Sequence, residues 1–203
     1  MIRTTQDLLL ELSDYGTPKT RIQRMVKNGA LVKIRRGLYE TNPNVPAYLL
    51  AGVVYSPSYI SFSYALSHYG LIPERVEICT SATFAKNRNK IFQTPFGNFT
   101  YRDIPKAAYP YGVCWKQEGD YSYLIATPEK ALCDMLYIKP PVRSLGALQD
   151  MLFDDLRIDE DAFAQLRTET LLDLTERYHT QNVQMLARLV TKERRLLTVK
   201  HNS

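Results

Sequence analysis

The sequence has 203 residues, of which 45% are apolar and 23% are charged. This composition is typical of a globular protein with one large domain or two small ones, and it excludes disordered, collagen-like and coiled-coil classes. The net charge of +5 is unevenly distributed: residues 1–45 have eight basic and four acidic residues, whereas residues 150–176 have nine acidic and two basic residues. We therefore expect the amino-terminal part to lie beside an anion.

Two helices are predicted at the start of the chain. The first follows Thr4 and Thr5, either of which can cap it, and it ends before Gly16. The second is predicted over residues 18–28, with Thr17 as a good N-cap and Pro18 at the first helical position, where its missing N–H costs nothing. Helical spacing predicts a buried face of Ile22, Met25 and Val26 and an outer face of Lys19, Thr20, Gln23, Arg24 and Lys27.

A β-hairpin is predicted directly after the second helix. Residues 30–34 and 37–39 are β-prone runs on either side of Arg35 and Arg36. From Gly16 to Tyr39 the chain has seven cations and no acid. A basic helix followed by a hairpin with arginines at its tip is typical of a winged-helix-like domain, in which the helix lies in the major groove of DNA and the wing contacts the backbone or minor groove. The prolines at 43 and 46 predict a boundary, so this head covers residues 1–42.

We assign the residues of the head to two roles in DNA binding. Side chains on the outer face of the second helix can bond base edges, which predicts base readout by Thr20, Gln23 and Arg24. Contacts with phosphates or a groove are predicted for Thr17, Lys19, Arg21, Lys27, Lys33, Arg35 and Arg36. A later basic turn predicts a secondary phosphate contact at Lys86, Arg88 and Lys90. The alternative is a solvated basic surface with no ligand.

Residues 46–203 are predicted to form a second domain, which makes the fold a two-domain α+β protein. Helices are predicted at 47–55 and 61–69, the second capped by Ser61. Residues 76–126 are β-rich, with strands at 76–81, 91–94, 98–104, 113–116 and 121–125. The chain is then helical over residues 127–197, with helices at 128–137, 144–156, 161–166, 170–178 and 181–197. Most aromatic rings of the β-rich part are expected in the core, although rings among basic residues can also stack single-stranded nucleic acid.

The sequence gives little indication of an enzyme active site or of a metal-binding site. The histidines at 68, 179 and 201 lack the spacing of metal ligands, and we expect His68 to lie in the core. A metal-dependent nuclease is the enzymatic alternative, but Glu77 and Asp103, the best acids near strands, lack a lysine two residues later. An ion pair between Lys130 and Asp134 is expected to be structural. We therefore predict a non-enzyme with no metal and no cofactor.

The location of the protein is predicted from its cysteines and its apolar runs. Cys79, Cys114 and Cys133 form no zinc or disulfide pattern, which indicates reduced and mostly buried thiols in the cytoplasm. The longest uncharged apolar run, Tyr48–Tyr55, is far shorter than the roughly 18 to 20 residues of a membrane span. Residues 1–7 have no apolar core, so no signal peptide is expected.

Several stretches of the sequence resemble the AbiEi-type antitoxins of bacterial abortive-infection systems. The resemblance covers nearly the whole chain, weakens after about Leu156, and is strongest in Ser58–Glu74. The other matching stretches are Gly29–Tyr39, Thr80–Thr83, Tyr101–Pro105 and Ile125–Asp134. The head departs from a complete winged helix, because two helices instead of three precede the wing.

The resemblance implies a DNA-binding antitoxin of a phage-defence pair. Such a protein represses its own promoter by binding repeated sites in double-stranded DNA, and it counteracts a toxin of nucleotidyltransferase fold. A second interpretation is a protein–protein module that neutralises the toxin by direct contact through the acidic segment Asp150–Glu176, with little DNA binding. The two interpretations differ in whether the head or the acidic segment carries the function.

Overall fold

The protein is a mixed α+β structure with two sheets, which confirms the α+β part of the predicted fold class. The computed structural model describes the backbone of residues 1–201 and the side chains of residues 1–192. The last two residues of the predicted second domain, 202 and 203, lie outside the described residues, as do the side chains of residues 193–201. Among the helices of the described chain, none has both the length and the apolar character needed to cross a membrane.

The amino-terminal elements form a small three-stranded sheet with two helices. In chain order they are β1 (Ile2–Thr4), α1 (Thr5–Glu11), α2 (Pro18–Lys27), β2 (Val32–Arg35) and β3 (Leu38–Glu40). Both pairings are antiparallel, and β3 is central in the order β1-β3-β2. The Thr4 hydroxyl accepts the Asp7 N–H and the Asp7 carboxylate accepts the Thr4 N–H, so a capping box begins α1. Both predicted helices and the hairpin are confirmed, whereas β1 was not predicted.

The small sheet contributes to two hydrophobic clusters because its side chains alternate between its two faces. Tyr39 packs against a small cluster formed by Leu8, Ile22 and Leu31, which holds α1 and α2 on one face. Leu38, its neighbour in β3, belongs to the large core that extends along the rest of the chain. The predicted division between residues 1–42 and 46–203 remains a prediction, and the packing shows that the first part is fixed to the second through this sheet.

The second sheet has six strands: β4 (Tyr59–Ile60), β5 (Cys79–Thr83), β6 (Lys90–Thr94), β7 (Gly97–Asp103), β8 (Val113–Glu118) and β9 (Tyr121–Ala126). Their order across the sheet is β6-β7-β5-β4-β9-β8. β4 pairs antiparallel with β5 and parallel with β9, and β5 pairs parallel with β7. Two antiparallel hairpins, β6-β7 and β8-β9, form the outer parts of the sheet.

Helices cover the second sheet and continue to the end of the described chain. They are α3 (Ala51–Val54), α4 (Phe62–His68), α5 (Pro128–Tyr137), α6 (Leu145–Gln149), α7 (Glu160–Ala164), α8 (Thr168–Thr175) and α9 (Gln181–His201). A 3₁₀ turn over Ala47–Leu50 precedes α3, and a π-helical segment over Asp150–Asp155 follows α6. α5 is the most enclosed of them and packs against α4, α8 and α9.

The structure differs from the sequence predictions at several elements. Residues 47–55 form a 3₁₀ turn and one short helix instead of a single helix, and residues 144–156 change from α to π geometry. β1 and β4 were missed because strands of three and two residues show no measurable alternation. The first strand of the β-rich part begins at Cys79 rather than at residue 76. The Thr17 side chain makes no capping hydrogen bond, so its expected role in α2 was wrong.

Candidate nucleic-acid interface

The helix α2 presents a continuous polar face to solvent. Ile22 is only 4% exposed and packs on Leu8 and Leu31, which fixes the rotation of the helix about its axis. Met25 and Val26 pack against the same cluster, as their spacing predicts. All residues assigned to DNA contact on this helix and at its start are exposed: Thr17, Lys19, Thr20, Arg21, Gln23, Arg24 and Lys27.

The hairpin that follows α2 carries the remaining basic residues of the head. Lys33, Arg35 and Arg36 are all exposed, and the two arginines lie at the turn between β2 and β3, as predicted. Gly37 has a φ of 81°, a left-handed conformation that only glycine adopts without cost. The Gly37 carbonyl accepts the Thr5 N–H at 3.0 Å, so the hairpin turn is held against the first residue of α1.

The basic residues of α2 and the hairpin have no carboxylate partner among the described side chains. Among residues 1–192, none of the seven cations from Lys19 to Arg36 takes part in an ion pair. The Arg21 guanidinium lies 5.3 Å from the centre of the Tyr15 ring, a cation–π contact that leaves its charge in place. An exposed surface of seven unpaired cations attracts phosphate at long range, and this attraction becomes weaker as the salt concentration rises.

The basic turn at residues 86–90 is held by one carboxylate. Asp103, the acid of the nuclease alternative, accepts the N–H groups of Lys86 at 2.7 Å and Asn87 at 2.6 Å. The Lys86 ammonium donates to the Ser56 carbonyl at 3.2 Å and lies over the Tyr55 ring. Of the three cations assigned to a secondary phosphate contact, Lys86 is therefore engaged within the protein, whereas Arg88 is exposed and Lys90 is half-buried.

The histidines and cysteines do not form a common site. His68 is exposed in the last turn of α4 beside the Tyr69 ring, so the expectation of a core histidine was wrong. Helical spacing placed it near apolar residues, but its position at the end of the helix turns it to solvent. Cys79 and Cys133 are buried and Cys114 is half-buried, all as free thiols. Within the described residues no cluster of three His, Cys, Asp or Glu side chains could hold a metal ion.

The aromatic rings of the β-rich part are mostly core residues, as expected. Phe99 and Tyr101 are fully buried, and Phe84, Phe92, Phe96 and Tyr109 are half-buried. Trp115 and Tyr111 are the exceptions, at 62% and 43% exposed. These two exposed rings do not form the series of stacked platforms that single-stranded nucleic acid requires.

The predicted ion pair between Lys130 and Asp134 is present, and it is the centre of a buried polar cluster on α5 whose other members the sequence analysis missed. The Lys130 ammonium lies 3.2 Å from the Asp134 carboxylate, and both side chains are fully buried. Asp134 also accepts hydrogen bonds from the hydroxyls of Tyr59 at 2.9 Å, Ser61 at 2.7 Å and Tyr178 at 2.5 Å. The Ser61 side chain is thus committed to Asp134 and does not cap α4, contrary to the sequence prediction.

The electrostatics of this cluster favour a structural role. Burial lowers the pKa of Lys130, and the attraction of Asp134 opposes that effect. Burial, reinforced by the Asp134 charge, raises the pKa of Tyr59 and of Tyr178 well above their ordinary values. Lys130 also donates to the Ala108 carbonyl at 2.8 Å and to the Tyr178 hydroxyl. Nearly every polar atom of the cluster has a partner, which is the condition under which buried charges are tolerated.

No protein-family model matches the chain, and no curated protein matches it. The candidate interface is therefore defined by its own geometry: an exposed polar face on α2 and three exposed cations on the adjoining hairpin.

Proposed function

We propose that the protein is a DNA-binding antitoxin of the AbiEi type, acting in the cytoplasm, whose residues 1–42 bind repeated sites in its own promoter. The observation that carries this proposal is a set of seven exposed cations on α2 and the β2-β3 hairpin. None of them forms an ion pair with a side chain of residues 1–192. A solvated basic surface usually intersperses acids among its cations, whereas this one contains none between Gly16 and Tyr39.

The arrangement of the head supports a winged-helix-like mode of docking. Two helices precede a hairpin, and the second hairpin strand pairs with β1, which lies before the helices. In this mode α2 lies in the major groove, where side chains on its exposed face reach base edges. The arginines of the hairpin turn contact the adjoining backbone or a narrow minor groove. The assignment of base readout to Thr20, Gln23 and Arg24 requires only that α2 approach with its polar face, which its burial pattern favours.

The proposed biological role follows from promoter binding. Occupation of the repeats blocks transcription of the gene pair and thereby limits the supply of a nucleotidyltransferase-type toxin. The protein performs no chemistry in this role, so it needs no metal or cofactor. The Lys86–Lys90 turn is proposed as a secondary contact through Arg88 and Lys90, because Lys86 is held by Ser56.

A second candidate function is direct binding of the toxin through the acidic segment Asp150–Glu176. All nine of its carboxylates are exposed, and they alternate with residues that anchor the segment in the core, such as Leu152 and Leu171. An exposed acidic surface steers association with a basic partner. Co-elution of the protein with the product of the neighbouring toxin gene, lost in a variant with these acids neutralised, supports this candidate.

The decisive experiment measures binding of the full chain to a duplex from its own promoter. Fluorescence anisotropy at several salt concentrations compares the unchanged chain with the triple variant Lys19→Gln, Arg24→Gln, Lys27→Gln. A matched control variant changes three exposed cations elsewhere, Lys106→Gln, Lys116→Gln and Arg143→Gln. We expect the first variant to lose affinity and to flatten the slope of log K against log salt by about 0.9 for each phosphate contact removed. Equal losses in both variants would contradict the proposed interface.

A further inference from the structure

A cavity of about 360 Å³ lies between one face of the second sheet and the ends of α4 and α5. Its polar wall is formed by Ser63, Thr100, Arg102 and Lys139, and its apolar wall includes Met135 and Ile138. This volume is within the range of pockets that bind small molecules, about 300–1,000 Å³. The cavity is separate from the basic surface of α2 and the hairpin, whose residues do not line it.

The sheet geometry brings two polar side chains of β7 into the cavity. Thr100 and Arg102 are two residues apart on this strand, so both lie on one face of the sheet, while Phe99 and Tyr101 are buried on the other. Lys139 reaches the cavity from the chain just after α5. The cavity is therefore built from a strand, a helix and a helix end that are far apart in sequence.

The cavity has a net positive charge with no internal counter-ion. Neither Arg102 nor Lys139 takes part in an ion pair among residues 1–192, and none of the described residues that line the cavity is acidic. The Thr80 hydroxyl, which also reaches the wall, is committed to the Ser61 carbonyl at 2.6 Å and to the Tyr64 N–H. The Ser63 and Thr100 hydroxyls add two further hydrogen-bonding groups beside the two cations.

We propose that this cavity binds a small organic phosphate. The phosphoryl group lies between Arg102 and Lys139, whose two positive charges match the charge of about −1.5 to −2 on a phosphate monoester at neutral pH. The guanidinium of Arg102 binds phosphate oxygens through paired N–H groups, and the Lys139 ammonium acts as a point charge. The organic part lies on Met135 and Ile138, because a cavity of this volume exceeds the needs of an inorganic ion. The proposal is independent of DNA binding by the head.

Phenyl phosphate is a suitable probe, since it joins a phosphate dianion to an apolar ring. The full-length protein is titrated with phenyl phosphate, inorganic phosphate and phenol at constant ionic strength, and binding is followed by NMR amide shifts. We expect saturable shifts at Ser63, Thr100 and Arg102 with phenyl phosphate, weaker binding of inorganic phosphate, and no saturable binding of phenol. Phenol binding as tightly as phenyl phosphate would overturn the phosphate assignment, and equal binding of inorganic phosphate would overturn the role of the apolar wall.

Substitutions of the two cations test independently whether phenyl phosphate binds in this cavity. Arg102→Gln and Lys139→Gln are each expected to weaken phenyl phosphate binding by about tenfold or more, the value of one charged hydrogen bond. Lys106→Gln removes an exposed cation that does not line the cavity, and it is expected to leave the affinity unchanged. Unchanged amide shifts outside the cavity show that the variants remain folded. The same affinity in all three variants, or no saturable shifts at these residues, would refute the proposal.

Discussion

The Lys130 ammonium and the Asp134 carboxylate lie 3.2 Å apart, one helical turn from each other, and neither side chain reaches solvent. Ion pairs with this spacing usually lie on exposed helix faces, where they contribute little to stability. This pair is instead enclosed by hydroxyl groups from two other parts of the chain: Tyr59 and Ser61 next to α4, and Tyr178 after α8. It connects the centre of the second sheet to the carboxy-terminal helices.

Removing the cation of this pair is expected to destabilise the protein strongly. Lys130→Met preserves most of the side-chain volume but leaves the Asp134 carboxylate buried without a counter-ion, and such changes cost about 3–5 kcal/mol. Arg157→Met is the matched control, because Arg157 pairs with Glu74 at the surface, with exposed fractions of 62% and 42%. The control should cost no more than about 1 kcal/mol. Urea unfolding measures both, and equal losses would show that the buried pair is not a specific stabilising contact.

Gly112 is expected to resist substitution because Lys130 occupies the space beside it. Its φ is 65°, and a Cβ added there would lie 2.9 Å from the Cβ of Lys130 and 3.3 Å from Leu174. Gly119 has a similar φ of 55° and no heavy atom within 4 Å of an added Cβ. Gly119→Ala should therefore cost only the backbone strain of about 1–2 kcal/mol, and Gly112→Ala about 1–3 kcal/mol more. Similar melting temperatures for the two variants would contradict this account of the packing.

Stability should fall at acid pH partly because of Glu129. Burial alone would raise the pKa of Glu129, but hydrogen bonds from its own backbone N–H, from the Arg167 backbone and side chain, and from Thr127 leave it below the ordinary 4.5. A carboxylate with a lowered pKa in the folded state stabilises the protein above its unfolded pKa, and this contribution disappears as the pH falls through the folded pKa.

Glu129→Gln tests this contribution by unfolding in urea at several pH values. The variant should be less stable than the unchanged protein at pH 7, and the difference should shrink as the pH falls below about 4.5. A constant difference between the two proteins across the whole pH range would argue against titration of Glu129 as its source.

The hairpin arginines should determine part of the salt dependence of DNA binding. If Arg35 and Arg36 each neutralise one phosphate, changing both to Ala should flatten the slope of log K against log salt by about 1.8. The free energy of unfolding should change by no more than about 0.5 kcal/mol for each exposed position. Anisotropy titrations at several salt concentrations measure the slope. An unchanged slope with unchanged affinity would remove the hairpin from the interface.

Gln23 and Lys27 should separate sequence readout from phosphate binding on the same helix. The Gln23 amide can bond adenine bidentately, so Gln23→Ala should cost about 1–3 kcal/mol on the promoter repeat and almost nothing on scrambled DNA. Lys27→Ala should weaken binding to both duplexes by the same factor and flatten the slope of log K against log salt by about one unit. Both variants are titrated against both duplexes. If Gln23→Ala weakens binding to the two duplexes equally, α2 only binds phosphates, and sequence specificity arises from DNA shape.

The sequence predicts best those elements whose signals are local. α2 follows from Pro18, from the spacing of Ile22 with Met25 and Val26, and from the glycine that ends it, and its exposed face is the predicted one. α5 follows in the same way from Thr127, whose hydroxyl accepts the Lys130 N–H at 3.2 Å. In both helices the first and last turns are set by residues within the helix or next to it.

The features that sequence analysis missed depend on contacts between distant residues. The ion pair between Lys130 and Asp134 was predicted as a structural contact, but its complete burial and its hydroxyl partners depend on Tyr59 and Tyr178, which lie 75 and 44 residues from Asp134 in the sequence. The cavity was missed for the same reason, because Arg102 and Lys139 belong to a strand and a helix end that no local sequence pattern connects. His68 shows the opposite error, since local apolar spacing predicted burial for a side chain at a helix end.

The two-residue strand β4 governs the order in which the second sheet can assemble. The hairpins β6-β7 and β8-β9 pair residues close in sequence and can form early, at little cost in chain entropy. The two hairpins become one sheet only after two further pairings have formed. Ile60 of β4 must pair with Ile125 of β9, which closes a long loop of intervening chain, and β5 must align parallel to β7. Because this pairing joins residues far apart in the sequence, we expect the joining of the two halves through β4 to be the slow step of folding. Until it occurs, the β5 and β9 edges are unpaired and open to intermolecular association.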